Sequence, residues 1–200
     1  MNDKFFDLRK EKQNRMINAA LKNFAEKGYK HASTDDMVRD AGISKGLLFH
    51  YFGSKVGLYT FVYEYSARYM LLELDTQLGG VSHEFFEHIK LVERARLNAM
   101  REYPYMLKFL DTARGEDVKE ALLAVEDRRN QYAEACEALK DSADTDRIPE
   151  DVDYIKLWNM MEFTIKGLMQ ERFLDASFQA DMLYDEVAEY IDLMSRLVYK

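Results

Sequence analysis

The sequence predicts an all-α protein. Only two prolines and nine glycines interrupt 200 residues, and breakers this sparse favour long helices. Leu, Met, Ala, Glu and Lys prevail over β-branched residues, which points the same way. Apolar residues also recur at three- and four-residue steps in most segments. About nine helices are expected, four in an N-terminal head with its connector and five in a larger body.

A first helix is expected over residues 9–27, where Met16, Ile17, Ala20, Leu21 and Phe24 recur at helical spacing. Gly28 ends it. Ser33 caps a short second helix, with Asp36 three positions on as in a capping box. Met37, Val38 and Ala41 turn inward. Ala41-Gly42-Ile43 forms a tight turn, in which glycine supplies left-handed backbone. Ser44 caps a third helix that runs to Phe52. Leu48 and Phe52 lie four apart and share its inner face. Lys45, Gly46, Leu47, Phe49 and His50 remain on the other faces. A basic residue, a glycine and an aromatic offered outward suit a polyanion better than plain surface. Two short helices across such a turn make a helix-turn-helix unit. Ser54 caps a fourth helix, 54–77, and Gly79-Gly80 breaks the chain after it. The head is placed at residues 1–55 and the body at 56–200, with the fourth helix connecting them.

In the body, helices are expected over 82–101, over 104–113 with Pro104 at the first position, over 116–140, from Pro149 to Leu174, and over 178–199. A polar loop covers Asp141 to Ile148. In the last helix Leu183, Val187, Tyr190, Met194 and Leu197 step by four, three, four and three, a heptad-like seam. The helix from Pro149 carries Tyr154, Leu157, Trp158, Met161, Ile165, Leu168 and Met169 on a broad face, with Met160 and Phe163 outside it. A helix with two apolar faces must cover both. One can face its own body and the other a second subunit, or both can be buried within one chain. The dimer reading assigns Leu157, Met161, Ile165, Leu168, Leu183, Val187, Tyr190, Met194 and Leu197 to the interface.

Charge divides the chain in the same place. Residues 1–60 hold 11 Lys+Arg against 7 Asp+Glu, a net of +4, and the remainder holds 17 against 29, a net of −12. The overall −8 hides a basic head on an acidic body. An acidic body repels DNA and helps confine contact to the head. A single cysteine, Cys136, excludes an intramolecular disulfide and fits a reducing cytoplasm. Glu134 and Glu137 beside it favour the thiol over the reactive thiolate. No apolar run is long enough for a membrane span. His83-Glu84-x-x-Glu87-His88 resembles a metal motif, but histidines five apart are turned by roughly 140° on a helix, so no metal and no cofactor are expected. No phosphate loop, dinucleotide fingerprint or nucleophile elbow occurs, and no enzyme is expected.

The pattern Met16-Ile17-x-Ala19-Ala20-x-x-x-Phe24-x-x-x-Gly28, then Ser33-Thr34, then Ala41-Gly42-Ile43-Ser44-Lys45-Gly46-x-Leu48-x-x-Tyr51-Phe52-x-Ser54-Lys55 resembles the DNA-binding domain of the TetR family of bacterial transcription regulators. The resemblance covers about the first third of the chain. It implies a helix-turn-helix head followed by a helical ligand-binding and dimerisation domain. It also implies a two-fold dimer paired through the last two helices, bound to a palindromic operator in double-stranded DNA, most often a repressor released by a small molecule. The alternative is a DNA-binding or partner-binding protein without ligand control.

Carried over by position, the resemblance implies that Thr34 bonds a phosphate and that Lys45 contacts phosphate or a base edge. Gly46 would let backbone approach DNA, and Leu47 would meet bases, for instance a thymine methyl. His50 and Tyr51 would reach phosphates. Lys55 would grip the backbone beside helix N–H groups. With the capping Ser33 and Ser44, and Phe49 where a tyrosine is usual, these form the expected DNA-binding set. Gly57 stands where the family has a good helix former and is expected to weaken the fourth helix by ~1 kcal/mol. Tyr103, Tyr105, Met106, Phe109, Trp158, Met161 and Phe163 are expected either to line a ligand cavity or to be plain core.

Overall fold

A computed structural model describes residues 3–172 and 180–199. Among the described residues a 3-10 turn, Asp3–Phe5, precedes nine helices. These are α1 (Lys10–His31), α2 (Thr34–Ala41), α3 (Lys45–Phe52), α4 (Lys55–Leu78), α5 (Phe85–Glu102), α6 (Met106–Arg114), α7 (Lys119–Asp141), α8 (Tyr154–Arg172) and α9 (Ala180–Val198). The only extended pairing among them is a single bridge between Glu84 and Asp144. No described helix is long and apolar enough to cross a membrane.

The head helices begin where hydroxyl caps predict. Ser33, Ser44 and Ser54 accept from the backbone N–H groups of Asp36, Leu47 and Gly57 at 3.3, 3.2 and 3.0 Å. Gly28 leaves helical geometry at φ 64°, ψ 176°, and a further turn carries α1 on to His31. Both prolines lie outside the helices expected to start on them. Pro104 sits in a turn closed by Met106 N–H on the Tyr103 carbonyl at 2.9 Å, and α6 begins after it. Pro149 occupies a similar turn, and the Asp153 carboxylate instead caps α8 by accepting from Lys156 N–H at 3.0 Å. A turn thus precedes each helix; α8 then starts on the Asp153 acceptor, whereas α6 starts without a side-chain cap. The expected ends of α8 and α9 at Leu174 and Phe178 fall outside the described residues.

The chain forms two compact units, which divide it differently from a cut at residue 55. The first comprises Met1–Met70 and Glu102–Tyr132. Its core is aromatic: Phe24 of α1, Tyr59 of α4 and Phe109 of α6 meet with ring centroids 5.1–6.1 Å apart. The Thr112 hydroxyl donates to the Ala25 carbonyl at 3.0 Å, fixing α6 along α1. Residues 102–132 therefore complete the head's core, packing α6 along a side of α1 that α2, α3 and the first two thirds of α4 do not cover. Phe5, ahead of the first helix, is fully buried among Tyr51, Phe52 and Phe61, with centroids 5.1–5.7 Å away. Phe5→Ala is expected to cost about 3–5 kcal/mol in chemical denaturation. A loss below about 1 kcal/mol would show that the rings close up without it.

The second unit comprises Leu71–Arg101 and Ala133–Lys200. Arg172 of α8 makes a two-pronged pair with Glu186 of α9 at 2.9 and 2.8 Å, and Lys90 of α5 meets Asp192 of α9 at 2.5 Å. Six of the nine residues expected at a dimer interface are buried within this unit: Leu157, Met161, Ile165, Leu168, Leu183 and Val187. They serve the protomer's own core. Of the other three, Tyr190 and Leu197 are exposed and Met194 is half-buried. The outer apolar face consists of Met160 and Phe163 on α8 and Met182, Tyr190, Leu193 and Leu197 on α9. Both helices do carry two apolar faces, but the seam read from sequence mixes them. Neighbouring stripes on a helix differ by only one position in register.

Candidate nucleic-acid interface

In the first unit α2 and α3 are joined by Gly42 in left-handed backbone, φ 64° and ψ 43°. Its N–H and that of Ile43 return to the Arg39 and Val38 carbonyls at 3.2 and 3.0 Å, closing the end of α2. The turn sets α3 with Leu48, Tyr51 and Phe52 inward and buried. Ser44, Lys45, Gly46 and His50 are exposed, and Leu47 and Phe49 are half-buried. A Cβ built on Gly46 meets nothing within 4 Å, so the protomer itself imposes no glycine there. Ser33 and Thr34 are half-buried at the start of α2, whose first N–H groups lack helical acceptors.

Three expected DNA-binding residues have other engagements. Tyr51 is buried, its ring against Phe5 at 5.7 Å and His50 at 5.2 Å, so it packs the recognition helix rather than projecting from it. Lys55 lies with its ammonium 4.8 Å over the Tyr29 ring and donates to the Lys30 carbonyl at 3.3 Å. Burial holds that ammonium below the usual lysine range, against the pull of Glu120 and Glu116. Tyr29 in turn donates its hydroxyl to Glu120 at 2.7 Å and its N–H to Glu116 at 2.9 Å. Burial first, then Glu120, raises the Tyr29 phenol well above its ordinary range. Lys55 thus anchors the end of α1. Lys45 meets Asp35 at 2.9 Å on the surface.

Sequence reasoning gave Asp36 only a capping role and overlooked the ion pairs of the α2 acids. Asp36 pairs with Lys27 and Arg39, each at 2.7 Å. These two hydrogen bonds, Lys27 first, hold its carboxyl below the usual range. Part of the head's positive charge is therefore neutralised within the head. The signal was present as Asp35-Asp36 at the start of a helix, where carboxylates are favoured.

The expected ligand residues divide between the units. Tyr103, Met106 and Phe109 are fully buried core of the first, and Tyr105 there is half-buried. The Tyr103 hydroxyl is hydrogen-bonded to Tyr65 at 2.6 Å and to Asn14 at 3.0 Å. Phe163 of the second unit is 71% exposed. Trp158 and Met161 do line a small cavity in the second unit. Its other walls are Ile89, Val92 and Glu93 of α5 and Glu162 and Ile165 of α8. Arg96 donates to Glu93 at 2.5 Å and to Glu162 at 2.8 Å. Burial pushes the Glu93 carboxyl up. Burial acts the same way on Glu162, but Arg96, with Lys166 and Lys140 behind it, outweighs burial and holds that carboxyl below the usual range. Glu93 and Arg96 are readable as an i,i+3 pair, whereas Glu162 lies 66 residues from Arg96.

Two residues of the apparent metal motif, His83 and Glu84, have structural duties. His83 is bonded to the Leu78 carbonyl at 2.9 Å, and Glu84 caps α5 through the N–H groups of Phe86 and Glu87 at 3.3 Å. Among the described residues no three His, Cys, Asp or Glu side chains converge as a metal site would require.

Residues 16–60 match the model of a family described as bacterial regulatory proteins, tetR family. Over 49 residues the chain is 45% identical to an uncharacterized HTH-type transcriptional regulator, YuxN, of Bacillus subtilis (strain 168). That stretch is 24% of this chain and 17% of the relative, so the match spans less than a fifth of the relative's length. Among solved structures the fold is similar to a TetR family transcriptional regulator from Chloroflexus aurantiacus J-10-FL, with TM-score 0.58, 16% identity, and 99% of this chain and 96% of that one covered. It is also similar to the fatty acid degradation regulator FadR from Bacillus halodurans, with TM-score 0.58, 15% identity and coverage of 96% and 95%. The TetR family regulator PfmR from Thermus thermophilus aligns with TM-score 0.56, 20% identity and coverage of 91% and 97%. At these identities the likeness establishes the fold.

Proposed function

We propose that this chain, whose N-terminal domain belongs to the tetR family of bacterial regulatory proteins, is a transcription regulator that binds a palindromic operator as a two-fold dimer and is released by a small ligand. The observation that carries the DNA-binding reading is the outer face of α3. A helix-turn-helix turn aims it outward, and it offers Lys45, a sterically idle glycine and His50. Each such helix suits a major groove, and two of them must sit roughly 34–36 Å apart to meet successive grooves on one side of the duplex. Binding to a palindromic duplex should weaken steeply as salt rises, because phosphate contacts release counterions. Binding indifferent to salt would remove the phosphate contacts. Asp35→Asn frees Lys45 and removes a negative charge beside the duplex. It is expected to tighten binding about two- to fivefold in fluorescence anisotropy. Weaker binding would make Asp35 a positioning partner of Lys45.

The dimer reading is supported by the outer apolar face of α8 and α9, which a protomer alone leaves wet. Phe163→Lys combined with Leu193→Glu is expected to give folded monomers in sedimentation at concentrations where the unmodified chain is dimeric. A dimer that survives would place the interface elsewhere. Release by ligand follows if the ligand favours a different spacing of the two heads, with leverage equal to its differential affinity for the two forms.

A further inference from the structure

Gln13 stands three positions before Met16 and four before Ile17, on the face of α1 that its apolar residues bury, and is only 8% exposed. A buried amide needs acceptors. Gln13 finds two, donating Nε2 to the Phe6 carbonyl at 3.0 Å and to the Leu8 carbonyl at 2.7 Å. Both acceptors belong to the segment ahead of α1. The turn bonds of that segment are longer: Asp7 N–H on the Lys4 carbonyl and Leu8 N–H on the Phe5 carbonyl, each at 3.3 Å. The segment carries Phe5 into the space between α3 and α4. Its ring meets Tyr51 edge-on at 5.7 Å, Phe52 at 5.2 Å and Phe61 of α4 at 5.1 Å. Tyr51 also meets the His50 ring edge-on at 5.2 Å, and His50 is exposed on the outer face of α3. Eight residues make too short a helix to hold its form unaided, so the last turn of α3 is placed by what it packs against.

We propose that the segment ahead of α1 is part of the operator-reading apparatus, with Gln13 and Phe5 as positioning residues for α3. Gln13 holds the segment closed, the segment holds Phe5 against Tyr51, and Tyr51 sets His50 and the last turn of the recognition helix. This rests on the DNA-binding reading and adds two residues, outside the helix-turn-helix unit, on which its precision depends. Base readout needs donors and acceptors held to a fraction of an ångström, whereas attraction to phosphates does not. A loosened α3 should therefore lose sequence preference before it loses general affinity for DNA. Neither residue carries a charge, so their removal leaves the electrostatic part of binding in place.

The test compares the full chain with Gln13→Met, which keeps the side-chain length and loses both donors, and with Phe5→Leu, which keeps an apolar side chain and loses the ring contacts. The probes are a palindromic duplex enriched from a random library by the unmodified protein and a scrambled duplex of the same composition. Anisotropy is read well below each unfolding midpoint, so that every chain is folded. Each variant is expected to bind the enriched duplex about five- to tenfold more weakly, the scale of one or two lost hydrogen bonds. Affinity for the scrambled duplex and the salt slope on both should match the parent. In hydrogen exchange without DNA, residues 45–53 should exchange faster in both variants. Should either variant fail to fold, the other decides. Equal losses on the two duplexes, or a salt slope flattened by about one, would mean that the segment meets phosphate itself, and overturn the positioning role. Unchanged exchange over 45–53 overturns it as well. Unchanged affinity for the enriched duplex overturns it and leaves the DNA-binding reading standing. An unmodified protein that enriches no duplex overturns the DNA-binding reading, and this role with it.

Discussion

Gly46→Ala is expected to leave the melting temperature unchanged or slightly raised while weakening operator binding at least about tenfold, a loss of about 1.4 kcal/mol. Alanine is the better helix former, by up to ~1 kcal/mol. A Cβ at residue 46 finds open space in the protomer, so folding has no objection to it. The only partner such a methyl could strike is one that arrives from outside, against the exposed start of α3. Thermal unfolding and anisotropy on one preparation check both halves. Unchanged affinity would mean that the α3 backbone does not closely approach DNA.

Gly57→Ala should do the opposite to stability. A Cβ there would overlap the Phe52 carbonyl oxygen and come within 3.3 Å of the Phe52 carbonyl carbon. Both are backbone atoms, so no side-chain rotation relieves the overlap. Either the end of α3 moves or the first turn of α4 opens, costing about 1–3 kcal/mol, as overpacking does. For a chain of this size that lowers the melting temperature by roughly 2–10 °C. Operator binding should fall as well, since the displaced segment is the end of the recognition helix. A more stable variant would restore the helix-propensity view, in which this glycine is a defect. The sequence alone favours that view because a propensity scale contains no Phe52 carbonyl.

These two glycines mark how far the sequence could be read. The caps at Ser33, Ser44 and Ser54, the left-handed Gly42 and the inward set Leu48 and Phe52 were all legible, because each depends on residues within four positions. The outward set of α3 was legible for the same reason. The packing of Tyr51 and Lys55 was not legible because their partners, Phe5 and Tyr29, are 46 and 26 positions away and come from segments with no periodic signal toward them. Phe5 precedes any helical pattern. The dimer residues were mixed because α9 carries adjacent apolar stripes, and periodicity cannot say which of them the protomer covers.

By itself the sequence determined the helix content, the helix-turn-helix unit and the stretch of the head that resembles the tetR family model. These follow from backbone capping, turn geometry and side-chain periodicity, all settled within one or two helical turns. Tertiary structure alone decided that α6 and the first part of α7 complete the head's core, that Gly57 yields space to a carbonyl, and that Glu93, Arg96 and Glu162 meet beside Trp158. The first and the last depend on which distant surfaces exclude water together, and the Gly57 contact on how the chain turns from α3 into α4. Burial is a property of the assembled packing, and no short stretch of chain specifies it.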